Sequence, residues 1–283
     1  MRINHNISAM VTQGSLFKTN RSMSKNMEKL STGLRINSAS DDAAGLGVSE
    51  NLRTQVRGTN QAKQNSLDGI SALQVAEGAT NEISAILQRM RELAVQSSND
   101  TLTETERAYT DAEFQQLTTE IDRIAEVTNY NGMDLLSTAA DRFGETTDGS
   151  YLWIDANAVE GVDGITVSID TMTADSNGLE LTDDTLSTQE DSVNAITAID
   201  QAIDSVNTLR SNLGSYINRL EHTINNLEVS NTNQQSAEST IRDTDFAEVS
   251  TQFTKNQILQ QSATSMLSQA NMTPQSALQL VGG

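Results

Sequence analysis

Cysteine is absent from this 283-residue chain, which excludes a disulfide framework, a thiolate nucleophile and any zinc site built on cysteine. Proline occurs once and aromatic residues make up 4% of the sequence, a composition suited to long helices with modest seams rather than to a turn-rich enzyme. The two histidines, His5 and His222, are too few and too separate for a triad or a His-rich metal site, so no catalytic centre, cofactor or metal is expected. Basic residues are scarce as well: Lys plus Arg number 18 against 38 Asp plus Glu, a net charge of -20. That balance argues against a nucleic acid or an anionic membrane held by charge. It also makes copies of the chain repel one another, so any self-assembly needs apolar seams and benefits from salt screening. No segment has the unbroken apolar length of a membrane span, and residues 1–10 carry no apolar leader core or cleavage site; neither membrane insertion nor a cleaved signal is expected.

What the sequence does have is helical periodicity. Between Val193 and Leu227 the apolar residues Val193, Ile196, Ile199, Ile203, Val206, Leu209, Leu213, Ile217, Leu220, Ile224 and Leu227 are spaced by three or four residues throughout. This spacing places them on one stripe of an α-helix. A helix of that length extends roughly 50 Å, too long to stand without partners alongside, so the chain is expected to be a rod.

The remaining segments extend the pattern. Ile3, Ile7, Met10, Leu16, Met23, Met27, Leu30 and Leu34 follow heptad-like steps, and a break near Gly33 leads into a hinge candidate at 37–42, where Asp41 and Asp42 cap the next helix. That second helix spans Ala43 to about Asn99, its stripe interrupted at Thr59 and Lys63, which predicts a loosely packed middle. Thr103 and Glu106 form a capping box for a third helix that stops before the turn signal Asn131-Gly132. Between about 137 and 186 the period changes to two, with Tyr151, Trp153, Ile165, Val167 and Ile169 alternating, and Asn177-Gly178 ahead of Leu179 and Leu181: a small β-hairpin region. Ser187 and Glu190 are expected to cap the long central helix, which fades into the polar run Asn231–Ser236. A last helix carries Phe246, Val249, Phe253, Ile258, Leu259, Met266 and Leu267 and ends near Pro274. Long helices at both ends of the sequence bury their stripes on each other or on neighbouring copies, so the termini should lie together and order on assembly.

Several of these segments resemble bacterial flagellin: Ile3 to Asn6, the run LSTGLRINSASDDAAGL from Leu30 to Leu46, QRMRELAVQ from Gln88 to Gln96, and QILQQSATSMLSQANMTPQSALQL from Gln257 to Leu280. The sequence IDAN at Ile154 to Asn157 is similar to a strand segment of the same family. The resemblance covers about residues 1–135 and 187–280 and implies a mainly α fold of long antiparallel helices forming a coiled-coil rod. It assigns 1–40 plus 245–283 to a terminal coiled-coil inner core and 41–244 to a surrounding helical domain with the hairpin region, leaving no room for large outer domains. It implies a helical homopolymer, the extracellular flagellar filament, exported without a cleaved signal. The inner-core seam would be Ile3, Ile7, Met10, Leu16, Leu259, Met266 and Leu267. Implied partners are other copies, an export chaperone, and the filament cap and junction proteins. A Toll-like innate receptor is a further implied partner, through the matching positions Arg89, Leu93 and Glu113.

Two other readings stand beside this one. A hook-filament junction protein would share the terminal helices but occur in few copies, and a chemoreceptor-like signalling hairpin would lack the strand region. The acid pairs Asp41-Asp42 and Asp183-Asp184 could serve a cation or acid-base chemistry. Adjacent residues point in different directions, however, and helix caps account for them.

Overall fold

The computed structural model describes residues 5–139, 142–144, 149–157, 163–176, 178–182 and 184–281, with side chains as far as Met272. The described residues form five helices, α1 (Ile7–Thr32), α2 (Ala43–Ser97), α3 (Glu104–Val127), α4 (Gln189–Arg242) and α5 (Phe246–Val281). Two small antiparallel sheets accompany them: β1 (Asn129–Tyr130) with β2 (Met133–Asp134), and β3 (Ser150–Trp153) with β4 (Gly164–Val167). The fold is mainly α, as the periodicity required. The chain divides into two compact units, one made of Met1–Thr54 and Asn233–Gly283, the other of Gln55–Thr232.

The Gln55–Thr232 unit holds the larger core. Ile199, Val206, Leu209, Leu213 and Leu220 of the central stripe on α4 are buried, together with Leu73, Ile83, Leu87 and Met90 of α2 and Phe114 and Ile121 of α3. Ile165 and Val167 of β4 join the same cluster, with Ile169 just beyond the strand. Val193, at the start of the stripe, is exposed instead. The capping box of α3 forms as the sequence dictates: Thr103 Oγ1 accepts from the Glu106 N–H, and Glu106 accepts from the Thr103 N–H at 2.8 Å. Asn131 and Gly132 both have positive φ, 52° and 79°, the pattern of a two-residue type I′ turn, and they join β1 to β2.

Five expectations need correction. The stripe of α2 is not open at its middle, because Thr59, Ala62 and Ser66 are buried and the hydroxyls are satisfied by the carbonyls of Gln55 and Ala62, each at 2.8 Å. Small residues that bond back to the preceding turn continue the seam where large apolar ones are missing. The cap of α4 lies one residue later than Ser187 and Glu190: Thr188 Oγ1 accepts from the Asp191 N–H at 3.1 Å and donates to the Asp191 carboxylate at 2.6 Å. Next, α4 runs unbroken through Asn231–Ser236 to Arg242, since polarity alone does not break a helix. The last helix continues through Pro274 to Val281 rather than ending there; a proline forfeits one backbone bond without obliging the helix to stop. Finally, α1 begins at Ile7, where Asn6 caps it by accepting from the Ala9 N–H at 3.1 Å. Asn177 and Asp183 lie outside the described residues, and Leu179 and Leu181 donate their N–H groups to the Thr173 and Ala174 carbonyls, each at 2.7 Å, without forming a named strand.

A polar strip on α3, not foreseen from the sequence, ties down the segment that leads into α4. Asp122 accepts the Ala174 N–H at 2.7 Å, Asp111 accepts the Leu186 N–H at 2.7 Å, and Gln115 donates to the Asp184 carbonyl at 2.9 Å. Irregular backbone near a core needs such partners for its N–H groups.

Candidate assembly surfaces

In the Met1–Thr54 and Asn233–Gly283 unit, α1 and α5 pair antiparallel. Asn6 Nδ2 donates to the Ala270 carbonyl at 2.8 Å near one end, and at the other Gly33 lies beside the Phe246 ring. Gly33 terminates α1 with φ 73°, the left-handed conformation that favours glycine, and its N–H returns to the Lys29 carbonyl. The inward faces are thin. Leu16 and Met23 of α1 and Phe253 and Leu267 of α5 are half-buried, and Val249 is buried.

Much of the apolar weight of the two helices points the other way. Ile7 is 59% exposed, Met10 63%, Leu259 44% and Met266 61%, and Phe17, Met27 and Ile258 are exposed with them. The six described residues of the expected seam therefore fall on two faces: Leu16 and Leu267 help hold the pair, whereas Ile7, Met10, Leu259 and Met266 face outward. Ile3 lies outside the described residues. From Asn6 and Ala270, stepping four residues along each helix places Met10 level with Met266. Exposed apolar side chains of this size, repeated along both helices, are candidates for contacts with other copies.

The connectors next to the pair are fastened rather than loose. Leu34 and Asp243 form an antiparallel bridge, the Arg35 N–H donates to the Arg242 carbonyl at 2.7 Å, and the Thr244 N–H donates to the Gly33 carbonyl at 3.0 Å. The Arg35 guanidinium caps the end of α4 through the Ile241 carbonyl, and Arg242 pairs with Glu50 at 2.6 Å. The hinge candidate at 37–42 is held too: Asn37 donates to Glu28 at 2.9 Å, and Ser38 and Lys25 both donate to the Asp41 carboxylate. Asp42 caps α2 by accepting the Gly45 N–H at 2.9 Å, so this acid pair is occupied by structural work.

Lys25 holds the Asp41 carboxyl down at about 2 from its ordinary 3.8, with Ser38 adding to the effect. A carboxylate with a depressed pKa stabilises the fold above its unfolded value, and that contribution disappears as pH falls through about 2. Lys25→Met is expected to raise the Asp41 pKa partway toward 3.8, because Ser38 still donates, and to move the loss of this contribution to higher pH. Carboxyl-carbon NMR titration of the monomer checks the shift.

The three receptor-matching positions fall in the other unit. Arg89 donates through Nε and Nη2 to the same Glu113 oxygen, Oε1, at 3.0 and 2.9 Å, and also reaches Glu92 at 3.0 Å; these interactions hold its guanidinium firmly protonated. Leu93, one turn along α2, is only 2% exposed and belongs to the core. The structure thus brings Arg89 and Glu113 together at the surface and places Leu93 inside.

A subunit with its own core in one unit and a helix pair with outward apolar faces in the other belongs to the class of self-assembling helical proteins. Residues 3–141 match the N-terminal helical region of bacterial flagellin and residues 196–281 its C-terminal helical region. The chain is 47% identical to the flagellar filament 33 kDa core protein of Treponema phagedenis, over 99% of this chain and 100% of that protein. It is also 47% identical to a flagellin of Halalkalibacterium halodurans, with the same coverage of 99% and 100%. Among solved structures, a putative flagellar hook-associated protein from Vibrio parahaemolyticus shares the fold, with a TM-score of 0.56 over 72% of this chain and 100% of that chain at 16% identity. The chain belongs to the bacterial flagellin family. It is a structural subunit that polymerises into the flagellar filament and serves motility, and the full-length relatives favour that role over a hook-filament junction protein.

Proposed function

We propose that the paired terminal segments, 1–40 with 245–283, form the inner coiled-coil tube of the filament, and that Ile7, Met10, Leu259 and Met266 dock against neighbouring copies while Leu16 and Leu267 hold the pair. The observation that carries this reading is the outward apolar face of α1 and α5, which nothing within the chain covers among the described residues. The thin inward face implies that the pair gains much of its stability on docking, so order and assembly are coupled. Residues 41–244 form the layer around the tube, with the hairpin region at about 137–186 and no large outer domain, giving a thin, smooth filament. The destination is extracellular, reached by flagellar type III export without a cleaved signal, with an export chaperone and the filament cap and junction proteins as further partners.

Seeded polymerisation of purified monomer, read by pelleting and electron microscopy, tests the reading. Long uniform filaments are expected, and they should form more readily at moderate than at low salt, because a net charge of -20 opposes assembly until it is screened. A protein that stays soluble with seeds at every salt concentration overturns it.

We also propose that a Toll-like innate receptor reads the monomer through Arg89 and Glu113, with Leu93 shaping the helix from beneath. The support is the exposed Arg89–Glu113 ion pair over a buried leucine. Arg89→Ala is expected to weaken signalling in a receptor reporter assay by about tenfold, in keeping with the loss of one charge-assisted contact. An unchanged response removes the assignment.

A further inference from the structure

With no cysteine in the chain, methionine is the only sulfur available for redox chemistry, and among the described residues most of the exposed methionines lie on the terminal helices. Met90 and Met172 are sealed in the core of the Gln55–Thr232 unit. Met10, Met27, Met266 and Met272 are 53–63% exposed, and all four sit on the terminal helices α1 and α5. Met10 and Met266 lie level with each other on the faces assigned to docking.

We propose that the exposed thioethers Met10 and Met266, with Met27 and Met272 farther along the same two helices, are reversible oxidation targets for peroxides, and that oxidation at Met10 and Met266 blocks assembly of the free subunit and is prevented once the subunit is in the filament. The proposal rests on the docking role given above to α1 and α5. The sulfur lone pair attacks one oxygen of hydrogen peroxide, the O–O bond breaks, a sulfoxide S–O bond forms, and the remaining oxygen leaves as water after proton transfer. Sulfur is thereby oxidised by two electrons and the peroxide reduced. The product replaces a flexible apolar tip with a strongly polar oxygen. In the free subunit that oxygen stays hydrated and costs little, but at a closed contact between copies it must be desolvated. Oxidation therefore acts on docking and leaves the buried core of the other unit untouched. Stereospecific methionine sulfoxide reductases return each epimer to the thioether, which makes the block reversible.

The experiment treats purified monomer with hydrogen peroxide, maps added oxygen by peptide mass spectrometry, and measures extension from preformed seeds before and after repair with the two methionine sulfoxide reductases. Met10, Met27, Met266 and Met272 are expected to oxidise ahead of Met90 and Met172. Extension should fall by roughly tenfold or more and return on repair. The same peroxide applied to finished filaments is expected to leave Met10 and Met266 largely unmodified.

A second protein carries Met10→Leu, Met27→Leu, Met266→Leu and Met272→Leu and retains the half-exposed Met133 as an internal control. Compared with its own untreated sample, its extension should be insensitive to peroxide. Untreated wild type that fails to extend seeds overturns the docking reading and this proposal with it. Untreated wild type that extends, with a sulfoxide-bearing form that extends equally fast, overturns this proposal alone. Peroxide inhibition that repair does not reverse overturns it as well.

Discussion

Met266→Asp is expected to abolish extension of filament seeds at concentrations where the wild type grows, while leaving urea unfolding of the monomer unchanged. Met266 is 61% exposed, so in the free subunit an aspartate there stays largely hydrated. At a closed interface the carboxylate loses its water, and it does so in a subunit already carrying a net charge of -20, with few cations to pair with. An unpaired charge in such a place costs several kcal/mol, enough to raise the critical concentration by roughly a hundredfold or more. Leu267→Asp is the instructive neighbour. Leu267 is half-buried on the side facing α1, so its replacement weakens the pair within the monomer and assembly together. Circular dichroism of the monomer should lose helix in the second variant and not in the first. Normal filaments from Met266→Asp contradict the outward-face assignment directly.

The long helices were legible because their stripes recur every three or four residues over dozens of positions, and tertiary context has little power to overrule so long a pattern. The Thr103–Glu106 box was legible because a hydroxyl and a carboxylate three residues apart satisfy each other's backbone groups locally. The start of α4 was ambiguous for the same reason: Ser187 with Glu190 and Thr188 with Asp191 both fit the spacing, and only the geometry of the incoming segment selects the second. Contacts between distant stretches left no local trace. The bridge from Leu34 to Asp243 and the acceptance of the Ala174 N–H by Asp122 each depend on where two segments meet, and neither segment encodes the meeting alone. The proposed assembly residues stand in the sequence as one list, not sorted into faces. A seam written as a list does not say that Leu16 and Leu267 look toward the partner helix within the chain while Met10 and Met266 look away from it.

Phe114→Ala is expected to destabilise the monomer by about 3–5 kcal/mol, the cost of emptying a large aromatic site in a core that closes over it incompletely. Phe114 has no solvent exposure and lies in the cluster that unites α2, α3, α4 and the hairpin. A domain of this kind has about 5–15 kcal/mol of stability in all, so the loss takes a large share. The variant should unfold at a markedly lower urea midpoint with a slope close to that of the wild type, because the surface exposed on unfolding hardly changes. Below that midpoint the outward faces of α1 and α5 are intact, so folded Phe114→Ala protein should still add to seeds. Met266→Asp reverses both results, keeping the midpoint and losing the growth. The paired outcomes locate monomer stability in the Gln55–Thr232 core and polymerisation in the terminal helices. An unchanged midpoint in Phe114→Ala would mean that the buried cluster is not what holds the monomer folded.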